Sequence, residues 1–351
     1  AGNGDFVDYS SARSEFSSSL SGVTVDLSAG TATDAYGDTD TLISIERVRG
    51  TDLDDSITGD GADNRLEGRD GNDTLTGGAG DDTLDGGAGD RDAVRYVDAE
   101  TGVTVDLGAG TATDGAGDND TLIGIEEIQG SAFDDTLTTG MDAVDYYLFG
   151  GAGDDFLTNV AGQVGLFDNI AYLDGGAGDD TLLSTTGNAS FRPGSGDDEI
   201  TGSAGFDILT YTYDAAEAET PPLGGITATF TSEGDGSLID YAGGSDTFTG
   251  IEILEATMLA DSLTGGAGDQ RFRGHGGDDT IDGGEGAGDF VDYSRPRADL
   301  GATGLGVTVD LVTGTAIDGY GDTDTLISIE RVRGTDFADD LNGDGADNRL
   351  E

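Results

Sequence analysis

The sequence predicts an all-β chain, a solenoid of short stacked repeats, and three observations predict it. Large apolar residues recur every nine positions, glycine is abundant at fixed places within that period, and each apolar residue is flanked by polar ones. The first run is Val48, Ile57, Leu66, Leu75 and Leu84. A second is Leu173, Leu182, Phe191, Ile200 and Leu209, and a third is Leu254, Leu263, Phe272 and Ile281. Val332, Leu341 and Leu350 form a fourth, and a shorter run has Ile128 and Leu137, then Leu148 and Leu157 after an eleven-residue step. A period of this length, held over five repeats, marks stacked supersecondary units that bury a continuous core only together. Alternation of inward and outward side chains makes each apolar residue the centre of a short strand.

Composition narrows the partners. The 351 residues carry 72 acidic and 15 basic side chains, a net charge of −57. Phosphate contacts need a basic surface, so nucleic acid is excluded, and an anionic membrane surface with it. A multivalent cation is the partner this charge favours. Glycine supplies 63 residues, more than twice ordinary usage, and hydrophobics only 35%. At that composition a single globular core would be thin, and without a cation the chain is expected to be disordered. There is no Cys, so disulfides and thiolate metal sites are ruled out. No apolar run is long enough to span a bilayer, and residue 1 does not open a signal peptide. Ala1-Gly2-Asn3-Gly4-Asp5 reads as the middle of a repeat.

The repeat itself is explicit in Gly68-Arg-Asp-Gly-Asn-Asp-Thr-Leu-Thr76 and Gly77-Gly-Ala-Gly-Asp-Asp-Thr-Leu-Asp85. Both fit G-G-x-G-x-D-x-U-x, with U a large apolar residue. Glycines allow left-handed turn angles and let the chain approach a cation closely. The pattern resembles the RTX, or repeats-in-toxin, calcium-binding family, and the resemblance covers most of the chain. It implies a parallel β-roll in which each nonapeptide is one tight turn plus one short strand, and two nonapeptides make one coil.

Calcium takes six to eight hard oxygen ligands in a flexible shell. A sixth-position carboxylate and glycine-exposed turn carbonyls can supply them. If successive repeats alternate between the edges of a roll, Asp55 lies over Asp73, Asn64 over Asp82, Asp180 over Asp198 with Asp207 opposite, and Asp261 over Asp279. Asp135, Asp155 and Asp339 hold the same place in their repeats. The resemblance implies an ion between each stacked pair. Ala189 and Gln270 replace the aspartate, so those sites are expected to be weak or empty. Near Gly86 an extra residue displaces the aspartate to Asp92, and Gly286-Ala-Gly-Asp289 closes a similar irregular turn. Magnesium demands a tighter octahedron, and zinc is disfavoured by the absence of Cys and the single histidine, His275.

A longer module interrupts the nonapeptides. Val23-Thr-Val-Asp-Leu27, Gly30-Thr-Ala-Thr-Asp34 and Asp40-Thr-Leu-Ile-Ser-Ile-Glu46 recur in order from Val103, from Val307 and, decayed, from Ile226. These read as wider coils continuous with the roll. Their aspartates Asp40, Asp120, Asp246 and Asp324 precede an apolar residue as sixth-position aspartates do, but lack the full glycine turn. Four segments of one solenoid follow: 1–94, module and first ladder; 95–210, second module and ladders; 211–291, degenerate module and third ladder; and 292–351. Residues 37–52 recur unchanged at 321–336, so the last segment is expected to begin a further tandem copy. The parent protein is expected to be longer, with end-to-end stacking or self-association of copies.

Catalytic signatures are missing. The chain has no H-E-x-x-H, G-x-S-x-G or G-x-x-x-x-G-K, and His275 reads as a tolerated turn residue. Tyr9, Tyr96 and Tyr293 follow similar strands and read as flanking the core; the arginines of Glu46-Arg-Val-Arg49 and Glu330-Arg-Val-Arg333 read as solvent-facing partners of carboxylates. The chain is therefore expected to be no enzyme but a calcium-binding structural region of a large secreted or cell-surface bacterial protein, such as an adhesin stalk, surface layer or filament. The alternatives are a calcium-dependent secretion and folding module of an RTX enzyme or toxin, and a binding module for glycans or ice. The resemblance implies export by the one-step (type I) route and folding in extracellular calcium.

Overall fold

The computed structural model describes residues 4–10, 21–141, 145–160, 170–212, 224–294, 302 and 304–351. Ala1–Asn3, at the opening mid-repeat, lie outside the described residues. Among the described residues there is no helix; the elements are strands of two to eight residues. The chain forms two compact units, Ala1–Gly176 and Ala177–Glu351.

In the first unit the nine-residue ladder deals its members alternately to two sheets. Val48 pairs with Leu66 and Leu66 with Leu84 in one sheet, while Ile57 pairs with Leu75 in the other, all in parallel. One coil is therefore two nonapeptides, as expected. All five side chains are sealed at 0% exposure. The core is one residue deep per strand, and each such burial stabilises by about 1.5–3 kcal/mol only while neighbouring coils cover it. The threonine flanks suit the pleat, and left-handed Gly71, Gly78 and Gly80 turn the chain between the later strands.

The irregular turn near Gly86 does not break the ladder. Val94 pairs with Leu75 on one side and Ile128 on the other. Beyond it Ile128 pairs with Leu148 and Leu137 with Leu157, so the roll absorbs the eleven-residue step in its turns.

The longer modules are not simply wider parallel coils. Thr104–Asp106, Thr111–Thr113 and Asn119–Ile123 make an antiparallel meander inside the sheet. Its outer strands pair in parallel with nonapeptide strands, Val105 with Leu137 and Leu122 with Leu84. The reversal is local: Gly110, at φ 68°, closes the first turn, and the Asp114 carboxylate accepts N–H bonds from Ala116 and Asp118 at 2.9 Å to close the second. Thr24–Asp26, Thr31–Thr33 and Thr39–Thr41 repeat the design.

The second unit is built alike. Leu182 pairs with Ile200 and Ile200 with Phe248 in one sheet; Phe191, Leu209, Leu254, Phe272, Val291 and Val332 follow one another in the other. Thr227–Phe230, Gly236–Ile239 and Ser245–Thr249 form the antiparallel meander of the decayed module, and Thr308–Asp310, Thr315–Ile317 and Thr323–Ile327 that of the last. Phe230 meets Phe248 and Phe272 edge-on at 4.9 and 5.6 Å, filling the space where this module has the largest side chains. Leu341 and Leu350 are only half-buried.

Of the four arginines expected to pair with carboxylates, Arg49 meets Glu67 at 2.7 Å and Arg47 meets it at 3.9 Å, whereas Arg331 lies over the Phe290 ring at 4.8 Å with its Nε buried and unpaired.

Candidate metal centre

A sixth-position residue stands where a turn becomes a strand, and in the following repeats its backbone N–H points at the next coil. There it meets a carboxylate. Asp55 N–H donates to Asp73 Oδ1 at 2.8 Å, and Asp73 N–H to Asp92 Oδ1 at 2.8 Å. Asn64 N–H donates to Asp82 Oδ1 at 2.7 Å, and Asp82 N–H to Asp120 Oδ1 at 3.1 Å. Asp135 N–H reaches Asp155 at 2.7 Å. In the second unit Asp180 N–H reaches Asp198 at 2.8 Å, Asp198 N–H reaches Asp246 at 3.0 Å, Asp261 N–H reaches Asp279 at 2.9 Å, and Asp279 N–H reaches Asp324 at 3.2 Å. Ala189 keeps its place through its N–H, which reaches Asp207 at 2.7 Å. The stackings expected from the period are therefore present, and the irregular Asp92 and Asp289 stand in line with them; Asp289 Oδ1 accepts from Gln270 N–H at 2.8 Å. Asp339 takes the N–H of Val307 at 2.8 Å.

The modules end these ladders with residues the sequence left in the background. Glu126, Glu252 and Glu330 accept the N–H of Asp92, Asp207 and Asp289 at 3.0, 2.6 and 3.1 Å. Asp40, Asp120, Asp246 and Asp324 each receive a tyrosine hydroxyl on Oδ2: Tyr9 at 3.1 Å, Tyr96 at 2.9 Å, Tyr211 at 2.5 Å and Tyr293 at 2.8 Å. The core-flanking tyrosines thus have a definite task. Their signal in sequence was the repeated Ile-Glu that closes each module and the tyrosine that follows a ladder strand.

A second ladder runs beside the first in the opposite sense, through the fifth position. Asn72 N–H donates back to Asp54 at 2.9 Å, Asp81 N–H to Asp63 at 3.1 Å, and Asp197 N–H to Asp179 at 2.9 Å. The Asp-Asp doublets carried that signal, which the generic x of the repeat formula hides.

What remains unsatisfied is informative. Oδ2 of Asp73, Asp82, Asp92, Asp198, Asp279 and Asp289 accepts no hydrogen bond, although each residue is at most 2% exposed. A buried carboxylate oxygen without a donor is costly. Burial, with neighbouring carboxylates adding to it, pushes Asp73, Asp82 and Asp155 up to about 7 and Asp279 up to about 10. The first-position glycines leave room beside these atoms: a methyl carbon at Gly68 would lie 2.1 Å from Asp73 Oδ2, and one at Gly274 would lie 2.1 Å from Asp279 Oδ2. Among the described residues no three acidic or histidine side chains converge as a metal cluster, so a cation here draws on one or two carboxylates plus main-chain carbonyls. That all-oxygen donor set, with orphaned anionic oxygens, fits calcium and not zinc.

Arg69 occupies a turn position with φ 104°, where an L side chain is strained. Its ion pair with Asp52, at 2.7 Å between a half-buried arginine and an exposed carboxylate, offsets only part of that. Replacing it by Gly, as in the adjacent repeat, is expected to stabilise the calcium-loaded first unit by about 1 kcal/mol, read as a higher midpoint in denaturant.

No curated protein matches the chain. A family model described as the RTX calcium-binding nonapeptide repeat matches residues 45–75, 58–91, 147–162, 172–190, 192–210 and 256–289. The matched spans include Asp73, Asp82, Asp198, Asp279 and Asp289, with Asp92 one residue beyond the second, and over these spans the chain carries RTX calcium-binding nonapeptide repeats.

Proposed function

We propose that this region is a structural solenoid of a secreted or cell-surface bacterial protein that folds when it binds calcium, and that it acts by that folding and not by catalysis. Such repeats occur in secreted bacterial proteins, which supports a site of action outside the cell. The observation that carries the reading is the row of buried Oδ2 atoms without donors, in a chain of net charge −57. Without a cation the stacked carboxylates repel, and a core one residue deep does not offset the ordering entropy. Calcium supplies the missing positive charge, so its binding free energy becomes folding free energy. The tandem recurrence of residues 37–52 at 321–336 supports an extended stalk, surface layer or filament.

The test is a far-UV circular dichroism titration from a chelated start. A cooperative gain of β signal at sub-millimolar to millimolar calcium, with none in equal magnesium, is the expected result. A β signal already complete in chelator would remove the calcium-driven folding.

A further inference from the structure

The turns fall into two classes, and the difference lies at positions two and four of the nonapeptide. In one class both positions are left-handed. Arg69 and Gly71 have φ 104° and 115°, Gly78 and Gly80 101° and 108°, Gly151 and Gly153 116° and 118°. Gly176 and Gly178, Gly194 and Gly196, and His275 and Gly277 follow suit. These open turns precede Asp73, Asp82, Asp155, Asp180, Asp198 and Asp279. Within this class Oδ2 of Asp73, Asp82, Asp198 and Asp279 is the buried atom that accepts no hydrogen bond. The irregular turns before Asp92 and Asp289, with Gly87 at φ 108° and Gly284 at 84°, leave Oδ2 in the same state.

In the other class neither position is left-handed, and the turn closes on its own carboxylate. Thr51 donates its N–H to Asp55 Oδ2 at 2.6 Å and its hydroxyl to Oδ1 at 2.8 Å. Ser131 does the same to Asp135 at 2.6 and 2.8 Å. Thr257 N–H reaches Asp261 at 2.9 Å, Ser203 N–H reaches Asp207 at 2.6 Å, and Thr335 N–H reaches Asp339 at 2.8 Å. In two repeats an amide oxygen is held in this way: Asp60 N–H reaches Asn64 Oδ1 at 2.7 Å and Gly266 N–H reaches Gln270 Oε1 at 3.0 Å. At the far end of several ladders the tyrosine hydroxyls satisfy the module aspartates.

We infer that, among the nonapeptide turns, calcium is taken by the open ones, and that the closed turns and the tyrosine-capped aspartates are metal-free ends of the ladders, where an N–H or O–H donor takes the place of the cation. The assignment rests on the calcium reading above and divides its candidates. Asp73, Asp82, Asp155, Asp180, Asp198 and Asp279 serve ions, and Asp92 and Asp289 join them. Asp55, Asn64, Asp135, Asp207, Asp261 and Asp339 serve hydrogen bonds. The chemistry is that of any buried carboxylate: an oxygen with no donor is stabilised most by a metal, and a donor already in place takes one of its two lone pairs and makes it the weaker ligand. In the ladder from Ile226 the order is complete: Asp261 is closed by Thr257, Asp279 is open, and Asp324 is closed by Tyr293.

The test is calcium stoichiometry of the full chain by isothermal titration calorimetry, on wild type, Asp279→Asn, Asp82→Asn, Asp261→Asn and Asp135→Asn. Each is first checked by circular dichroism at saturating calcium for a wild-type β signal. The two open-turn variants are expected to lose about one bound ion each, or to weaken it at least tenfold. The two closed-turn variants are expected to keep the wild-type count. Equal loss from Asp261→Asn and Asp279→Asn would overturn the two-class assignment while leaving calcium binding intact. A wild-type chain that binds no calcium would instead overturn the reading beneath it. Where an asparagine variant does not fold, the double variant Thr51→Gly/Leu53→Gly decides: it removes the donor hydroxyl of a closed turn and gives it the two glycines of an open one, so it is expected to gain about one ion, and an unchanged count in a variant with a wild-type β signal would overturn the assignment.

Discussion

Replacing Arg273 by Met is expected to destabilise the second unit by about 3 kcal/mol at neutral pH, and the loss should shrink in acid. Arg273 is sealed within the outer face of its sheet at 6% side-chain exposure, bonded to Glu255 on one side and to Asp292 at 2.9 Å on the other. Asp292 has no side-chain exposure at all. Burial alone would raise its carboxyl; hydrogen bonds from Ser294 and Arg271 and the charge of Arg273 outweigh it and hold the group well below the usual carboxylate range. Methionine keeps most of the stem packing and removes the charge. Breaking a buried pair from one side costs about 3–5 kcal/mol, and the low end applies because Arg271 still reaches Asp292 at 2.5 Å.

The pH dependence identifies the cause. A depressed carboxyl contributes stability that is present above its unfolded value, near 4, and is lost as pH falls through the lower folded one. In the variant the same carboxyl shifts upward, so protonation begins to relieve it at a higher pH. Denaturant unfolding at saturating calcium should show the gap between wild type and variant holding steady above about pH 5 and narrowing as pH falls below about 4. A gap that stays constant would mean that lost packing, and not the stranded charge, is responsible.

The ladders show how much the chain declares in advance. Leu66, Leu75 and Leu84 are apolar at a fixed period, and period alone dictates that they pair across coils. The stacking of Asp55 over Asp73 follows from the same arithmetic, because residues eighteen apart must lie one coil apart. The local chemistry of each turn does not follow. Asp55 and Asp73 occupy the same place in the same formula. One is satisfied by Thr51 and the other is not, because a hydroxyl residue at position two turns its N–H inward while a left-handed residue turns it away. Reading that requires backbone angles, and Arg69 and His275 show that residue type alone does not give them. The tyrosine caps are further hidden. Tyr9–Asp40 and Tyr293–Asp324 are both 31 residues apart, but Tyr96–Asp120 are 24 apart and Tyr211–Asp246 are 35 apart, so no single spacing covers the four pairs that the meander of each module creates. Strand reversal in the modules was likewise obscured, since Val105 and Ala112 look equally at home in parallel or antiparallel neighbours until Gly110 is seen to reverse the chain.

A pair of glycine substitutions seven residues apart should separate glycine as filler from glycine as architecture. Gly61 sits in an exposed turn, with nothing within 4 Å of an added methyl carbon and no left-handed angle to maintain. Gly61→Ala is therefore expected to leave calcium binding unchanged and to stabilise the fold by up to about 1 kcal/mol, through the smaller entropy of the unfolded chain. Gly68 is its opposite. The same methyl carbon would lie 2.1 Å from Asp73 Oδ2, 2.6 Å from its Cγ and 2.6 Å from the carbonyl oxygen of Gly86. Neither the strand backbone nor the buried carboxylate yields cheaply, so Gly68→Ala is expected to cost about 2–4 kcal/mol. It also displaces the oxygen that the site offers to an ion, so the calcium midpoint for folding should rise well above that of Gly61→Ala. Equal midpoints for the two variants would show that the position-one glycines act only through backbone freedom, and that the carboxylate beside them is not held for a cation.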